Sequence, residues 1–164
     1  MVKLLGSLCV FCGGMLVWWN HMAEQRRKRD TLAELTTALR RMKEEIRMAR
    51  TPLPRLLEAL SKDCRMEGTA ALFHKSAQAA RLGEGLRDVW RQMVQFLPLE
   101  PRERRIVGQL ELYGDEENVC KGISLVIREL EKCADEWEKR RPEETKRTSA
   151  LCFSGAALLV ILLM

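Results

Sequence analysis

The sequence predicts an all-α protein, an antiparallel bundle of about six helices held between an N-terminal and a C-terminal transmembrane helix. Three observations predict it. Apolar residues recur at spacings of three and four along most of the chain, the period of one helix face. Residues 20 to 148 show no strand-like alternation and few glycines. Both ends are uncharged apolar runs, each with a basic block on its inner side. The expected organisation is a membrane helix at 1–19, a cytoplasmic helical bundle at 20–148 and a second membrane helix at 149–164.

The first segment, Leu4 to Trp19, is apolar apart from Ser7. A cleaved signal peptide would need a small-x-small site, and the run instead closes on Trp18-Trp19-Asn20-His21. Arg26, Arg27, Lys28 and Arg29 follow at once, and such a cluster resists export. An uncleaved anchor is the expectation, with the two tryptophans at headgroup level. Val2 to Trp19 would reach about 27 Å as a helix, against roughly 30 Å of hydrocarbon. The last segment, Ser149 to Met164, would reach about 24 Å. Lys146 and Arg147 can snorkel to relieve that shortfall. Both basic blocks lie between the apolar segments, so the middle of the chain is expected inside the cell and both ends outside. The second segment would then carry only its own carboxylate across. A soluble bundle could also bury one sixteen-residue apolar helix, but two such helices flanked by arginine are harder to hide.

Between the anchors, Leu32, Leu35, Leu39, Met42 and Ile46 form one apolar stripe on a helix expected to run to about Arg50. Thr51-Pro52-Leu53-Pro54 ends it, because proline disfavours helical geometry in the residue before it. Four shorter helices follow. Pro54 to Lys62 carries Leu56, Leu57 and Leu60, with its proline in the first turn. Thr69 to Leu82 is rich in alanine and stops at Gly83. Leu86 to Leu97 places Leu86, Val89, Trp90, Met93 and Leu97 on one side, before Pro98. Pro101 to Leu112 carries Ile106, Val107 and Leu110 and ends near Gly114.

The last helix has the clearest start. Asp115 stands as N-cap, and Glu116 and Glu117 bring negative charge to the positive end of the helix dipole. Val119, Ile123, Val126, Leu130, Cys133 and Trp137 then form a seam that needs a partner helix. The expected partner is the Leu32–Ile46 stripe, running antiparallel. Residues 20 to 50 and 115 to 147 would extend about 46 Å and about 50 Å, a matched pair. Pro142 is expected to kink the returning helix.

Lys plus Arg is 28 and Asp plus Glu is 23, a net charge of +5. The excess sits beside the apolar ends, so nucleic acid is not an expected partner. Cys64, Cys120 and Cys133 are dispersed without metal-ligand spacing, which fits free thiols in a reducing compartment. Cys9 and Cys12 have the C-x-x-C form inside an apolar run, without the βαβ setting of a redox motif. There is no P-loop motif, and no cofactor is expected. His21 and His74 have no partner ligand at helical spacing. The pairs Glu44-Glu45 and Glu116-Glu117 are adjacent on their helices and do not face each other. No residue constellation points to an enzyme.

The layout resembles the stage III sporulation protein AB family of endospore-forming bacteria. The resemblance covers nearly the whole chain. It rests on the start "MVKLLG", the charged helix running into "TPLPRLLEAL", the turn and last helix in "LYGDEENVCKGISLVI", and the C-terminal anchor. Gly114 and Asp115 carry the turn. The resemblance implies a soluble part like the cytoplasmic domains of type II secretion F proteins. It implies a place in the channel-like complex between mother cell and forespore, in the mother-cell membrane. It also implies a soluble partner, the stage III sporulation protein AA ATPase, beside other membrane components of the channel. A non-enzymatic platform or adaptor follows. The alternative is a tail-anchored helical regulator that sequesters a partner peptide in an apolar groove.

Overall fold

The computed structural model describes the backbone of residues 2–49, 51–112 and 114–163, and side chains at 15, 19–48, 51–112 and 114–139. Among these residues there are six helices and no strand: α1 (Val2–Ala49), α2 (Leu53–Asp63), α3 (Glu67–Leu82), α4 (Leu86–Gln95), α5 (Pro101–Gly108) and α6 (Glu116–Leu163). The all-α expectation holds. Among the described residues no helix is long and apolar enough to cross a membrane. The apolar runs on which the two-span expectation rests have nearly all their side chains outside the described residues, as do Lys146 and Arg147.

The chain divides into two compact units, one formed by Met1–Gln25 with Asp135–Met164 and the other by Arg26–Ala134. In the first unit, Met15, Trp19 and Met22 are exposed. They stand four and three residues apart, on one side of α1. The second unit holds the core.

Within that second unit the predicted α1 stripe is buried at all five positions, Leu32, Leu35, Leu39, Met42 and Ile46. The α6 seam is buried at Val119, Ile123, Val126, Leu130 and Cys133, and Trp137 lies beyond this unit and is half-buried. Arg40 pairs with Glu131, and the Cys120 thiol donates to the Lys43 carbonyl at 3.9 Å. Going back along α1 from Lys43 to Arg40 advances along α6 from Cys120 to Glu131, so the two helices run antiparallel here. The helices α2 to α5 pack in succession, each on the next. Phe73 and Trp90 meet at the centre of this group, ring centroids 5.9 Å apart and tilted by 60°. The Trp90 Nε1–H donates to the Val107 carbonyl at 2.9 Å, which gives the indole the partner a buried tryptophan needs.

Chain punctuation follows local chemistry. Pro54 lies in the first turn of α2, and α3 ends on Gly83 at φ +69°. Two helices end sooner than their apolar pattern predicts. α4 stops at Gln95, and the next N–H groups, of Phe96 and Leu97, bond to Met93 and Val94 in a tightened turn. Pro98 disfavours helical geometry at Leu97. α5 stops at Gly108, and the Leu110 N–H closes on Val107 at 3.2 Å. Beyond it Leu110 and Leu112 are buried while Glu111 between them is exposed, an alternation of period two. α6 is helical through Pro142.

Candidate functional site

Two constellations stand out in the Arg26–Ala134 unit, and neither is catalytic in composition. The first fastens α1 to the shorter helices. α3 begins without a side-chain cap of its own, because Met66 occupies the N-cap. Glu34, on α1, supplies the acceptors instead. Its carboxylate takes the Met66 N–H at 2.9 and 3.2 Å and also the Arg65 N–H. This satisfies donors that a helix start leaves unpaired and sets negative charge at the positive end of α3. Two turns along α1, Arg41 pairs with Asp63 at 2.5 Å. At the other end of this row, Lys28 Nζ reaches Glu100 Oε1 at 2.8 Å. Glu100 is the N-cap of α5 and forms a reciprocal capping box with Glu103. The Glu100 N–H donates to Glu103 Oε2 at 2.9 Å, and Glu103 is only 2% exposed.

Cys64 lies beside this network. Its thiol is pushed up to about 11, first by burial, then by the Glu34 and Asp63 carboxylates, with a hydrogen bond to Glu34 in the same sense. A thiol so held is neutral near pH 7 and a poor nucleophile. Cys120 is half-buried and Cys133 buried, and neither is in a disulfide.

The second constellation lies on α6 opposite its seam. Lys121, Leu125, Arg128 and Lys132 follow at spacings of four, three and four and share one face. All are exposed, Leu125 at 55%. Lys121 pairs with Glu117 at 2.7 Å, and Lys132 pairs with Glu129 at 2.7 Å. Hydrogen bonding to Lys132, with Arg128 and Arg102 of α5 nearby, holds the Glu129 carboxyl below its ordinary value. The charges of Arg128 and Arg102 act on this carboxylate in the same sense as Lys132. Elsewhere on the unit the pairs are matched, as in Arg87 with Glu111 at 3.1 Å and Arg40 with Glu131.

The predicted site residues fall in different places. Gly114 takes φ +107°, which favours glycine, and is exposed. Asp115 is exposed and immediately precedes α6, and its carbonyl accepts the Val119 N–H at 3.1 Å. The basic block divides. Arg26 and Arg27 are exposed, whereas Lys28 and Arg29 are half-buried. Arg29 Nε is buried without a hydrogen-bond partner. Lys28 is thus a contact of the bundle. His21 and His74 are exposed. Among the described residues no three His, Cys, Asp or Glu side chains are grouped so as to hold a metal ion.

Fold and site together define an all-helical bundle protein whose helices are tied by charged contacts. The profile of the family described as stage III sporulation protein AB matches residues 3–164, and the chain belongs to that family. A solved structure of a stage III sporulation protein AB is similar at 21% identity, with a TM-score of 0.61, covering 72% of this chain and 98% of that one. At that identity the likeness speaks for the fold. No curated protein matches the chain.

Proposed function

We propose that this chain is a non-enzymatic platform of a sporulation-specific, secretion-like channel between mother cell and forespore. It sits in the mother-cell membrane through residues 1–19 and 149–164. Residues 20–148 face the cytoplasm and dock the stage III sporulation protein AA ATPase. Other membrane components of the channel and the lipid bilayer complete its surroundings.

One observation carries the reading. α1 and α6, each 48 residues long, both begin or end in the Arg26–Ala134 unit and both run into an uncharged apolar segment. Within that unit they run antiparallel, and α1 is clamped to α2, α3 and α5 by Arg41, Glu34 and Lys28. A push on the short helices is therefore passed to α1 through charged contacts rather than absorbed in a loose joint. The chain has no P-loop motif, so hydrolysis must come from the partner.

Two measurements on the full-length protein test it. Protease outside intact mother cells should leave residues 20–148 uncut, and the detergent-purified protein should retain the ATPase in a pull-down. Cutting within that stretch, or extraction of the chain by salt alone, would refute the topology. A protected C-terminus with an N-terminal segment that never enters the bilayer would restore the tail-anchored regulator.

A further inference from the structure

We propose that Arg26 and Arg27 bind the headgroups of anionic phospholipids in the cytoplasmic leaflet, while Lys28 of the same basic block serves the bundle. The inference rests on the platform reading and assigns the platform's contact with the membrane surface to two side chains.

A basic block behind an apolar segment directs insertion by its charge, wherever its side chains finally lie. In the folded unit the four members differ. Lys28 is engaged with Glu100 at 2.8 Å, and Arg29 is half-buried. Arg26 and Arg27 are exposed, and among the described residues neither side chain forms an ion pair or hydrogen bond, even with the nearby Asp30. Several other exposed cations of the unit are matched, Arg40 by Glu131, Arg41 by Asp63 and Arg87 by Glu111. Arg26 and Arg27 thus offer two unengaged guanidinium forks, the donor geometry that fits phosphate oxygens. As neighbours on a helix they diverge by about 100°, so each meets a headgroup of its own.

Sequence position selects the occupant. Arg26 stands seven residues after Trp19, where the apolar run ends. As a helix that separation is about 10 Å, against a headgroup layer of roughly 5–8 Å. An arginine stem can reach back across the difference. Trp19 is itself 66% exposed, as suits a residue of the headgroup belt. At that height the negative charge within reach is the phosphodiester of an anionic lipid.

The test titrates the full-length protein in a neutral detergent with dioctanoyl phosphatidylglycerol, dioctanoyl phosphatidylcholine or inorganic phosphate, and counts bound ligand by native mass spectrometry. Wild type should bind phosphatidylglycerol well ahead of phosphatidylcholine, and less tightly as salt rises. Arg26→Gln and Arg27→Gln should each weaken that binding about fivefold, and the double variant about tenfold to thirtyfold. Their Tm should stay within about 1 °C of wild type, and the single variants serve as the readout if the double variant unfolds. Lys28→Gln should do the reverse, lowering Tm and leaving phosphatidylglycerol binding within about twofold. Arg47→Gln/Arg55→Gln, at exposed arginines remote in sequence from both apolar runs, should match wild type. Unchanged lipid binding in the double variant, or an equal loss in Lys28→Gln, overturns this division of the block and leaves the platform standing. Inorganic phosphate that binds as tightly as phosphatidylglycerol, and is lost in the same variants, overturns it in favour of a free anion. A double variant that keeps the lipid but no longer retains the ATPase in a pull-down overturns it in favour of an acidic protein surface. Extraction of the wild-type chain from membranes by salt alone overturns the platform reading and this inference with it.

Discussion

Replacing Glu34 should loosen the start of α3, although Glu34 lies on another helix. Its carboxylate accepts the Arg65 and Met66 N–H groups, and Met66 has no side chain able to do so. Removing an N-cap acceptor costs about 0.5–2 kcal/mol, and hydrogen bonds to a charged group are worth about 1.5–3 kcal/mol. Glu34 is half-buried, so water can replace part of what is lost. We expect Glu34→Ala to destabilise the bundle by about 1–2 kcal/mol. For a unit of this size that lowers Tm by roughly 5–10 °C. Glu34→Gln keeps an acceptor without the charge and should cost about half as much. The assay is thermal unfolding of the full chain in detergent, followed by circular dichroism. A second readout is independent of stability. The Cys64 thiol stands at about 11 partly because of Glu34. In either variant it should fall, but not return to its ordinary value, since burial and Asp63 remain. The pH profile of Cys64 alkylation, read on its peptide, reports this. A Tm within about 1 °C of wild type, together with an unmoved alkylation profile, would refute the clamp.

Other predictions follow from the same geometry. Cys64 has a folded pKa above its unfolded one, so its neutral thiol favours the fold below pH 9.0, and that contribution is lost as pH rises through about 11. Cys64→Ala should flatten the alkaline fall in stability measured by urea titration across that window. Trp90→Phe keeps the ring against Phe73 and loses the bond to Val107. Because the Leu110 N–H also reaches that carbonyl, the lost bond should cost only about 0.5–1.5 kcal/mol, plus the indole volume, measured by urea unfolding. Gly83→Ala meets no atom within 4 Å, so its effect is the backbone cost of φ +69° alone. We expect about 1–2 kcal/mol, read as a lower Tm. Asp115→Ala should destabilise by about 0.5–2 kcal/mol if its side chain caps α6, and unchanged Tm and ATPase binding would remove that role.

The parts of the fold legible in the sequence are those set by neighbours within a few residues. The Leu32–Ile46 stripe and the α6 seam share the helical period and are buried as that period predicts. Gly83 marks a helix end because a left-handed residue is needed there. The segment after α5 was harder to read. Leu110 and Leu112 fit a continuing helix by composition, yet the chain leaves the helix there and buries alternate residues. Glu103 carried a local sign, an acid three residues after Glu100 with Pro101 between them, as in a capping box. Glu34 carried none. Its hydrogen-bond partners lie 31 and 32 residues away, and only tertiary packing brings them together.

The tie between Lys28 and Glu100 bears on how the molecule can be trimmed. A fragment designed for crystallisation would naturally discard the greasy front and the arginines behind it. A cut behind Lys28 removes the cation that meets Glu100, the cap of α5. A cut beyond Glu34 also strips α3 of its acceptors. A version that keeps both ties therefore starts ahead of Lys28, within the same helix, Val2–Ala49, that carries the apolar front.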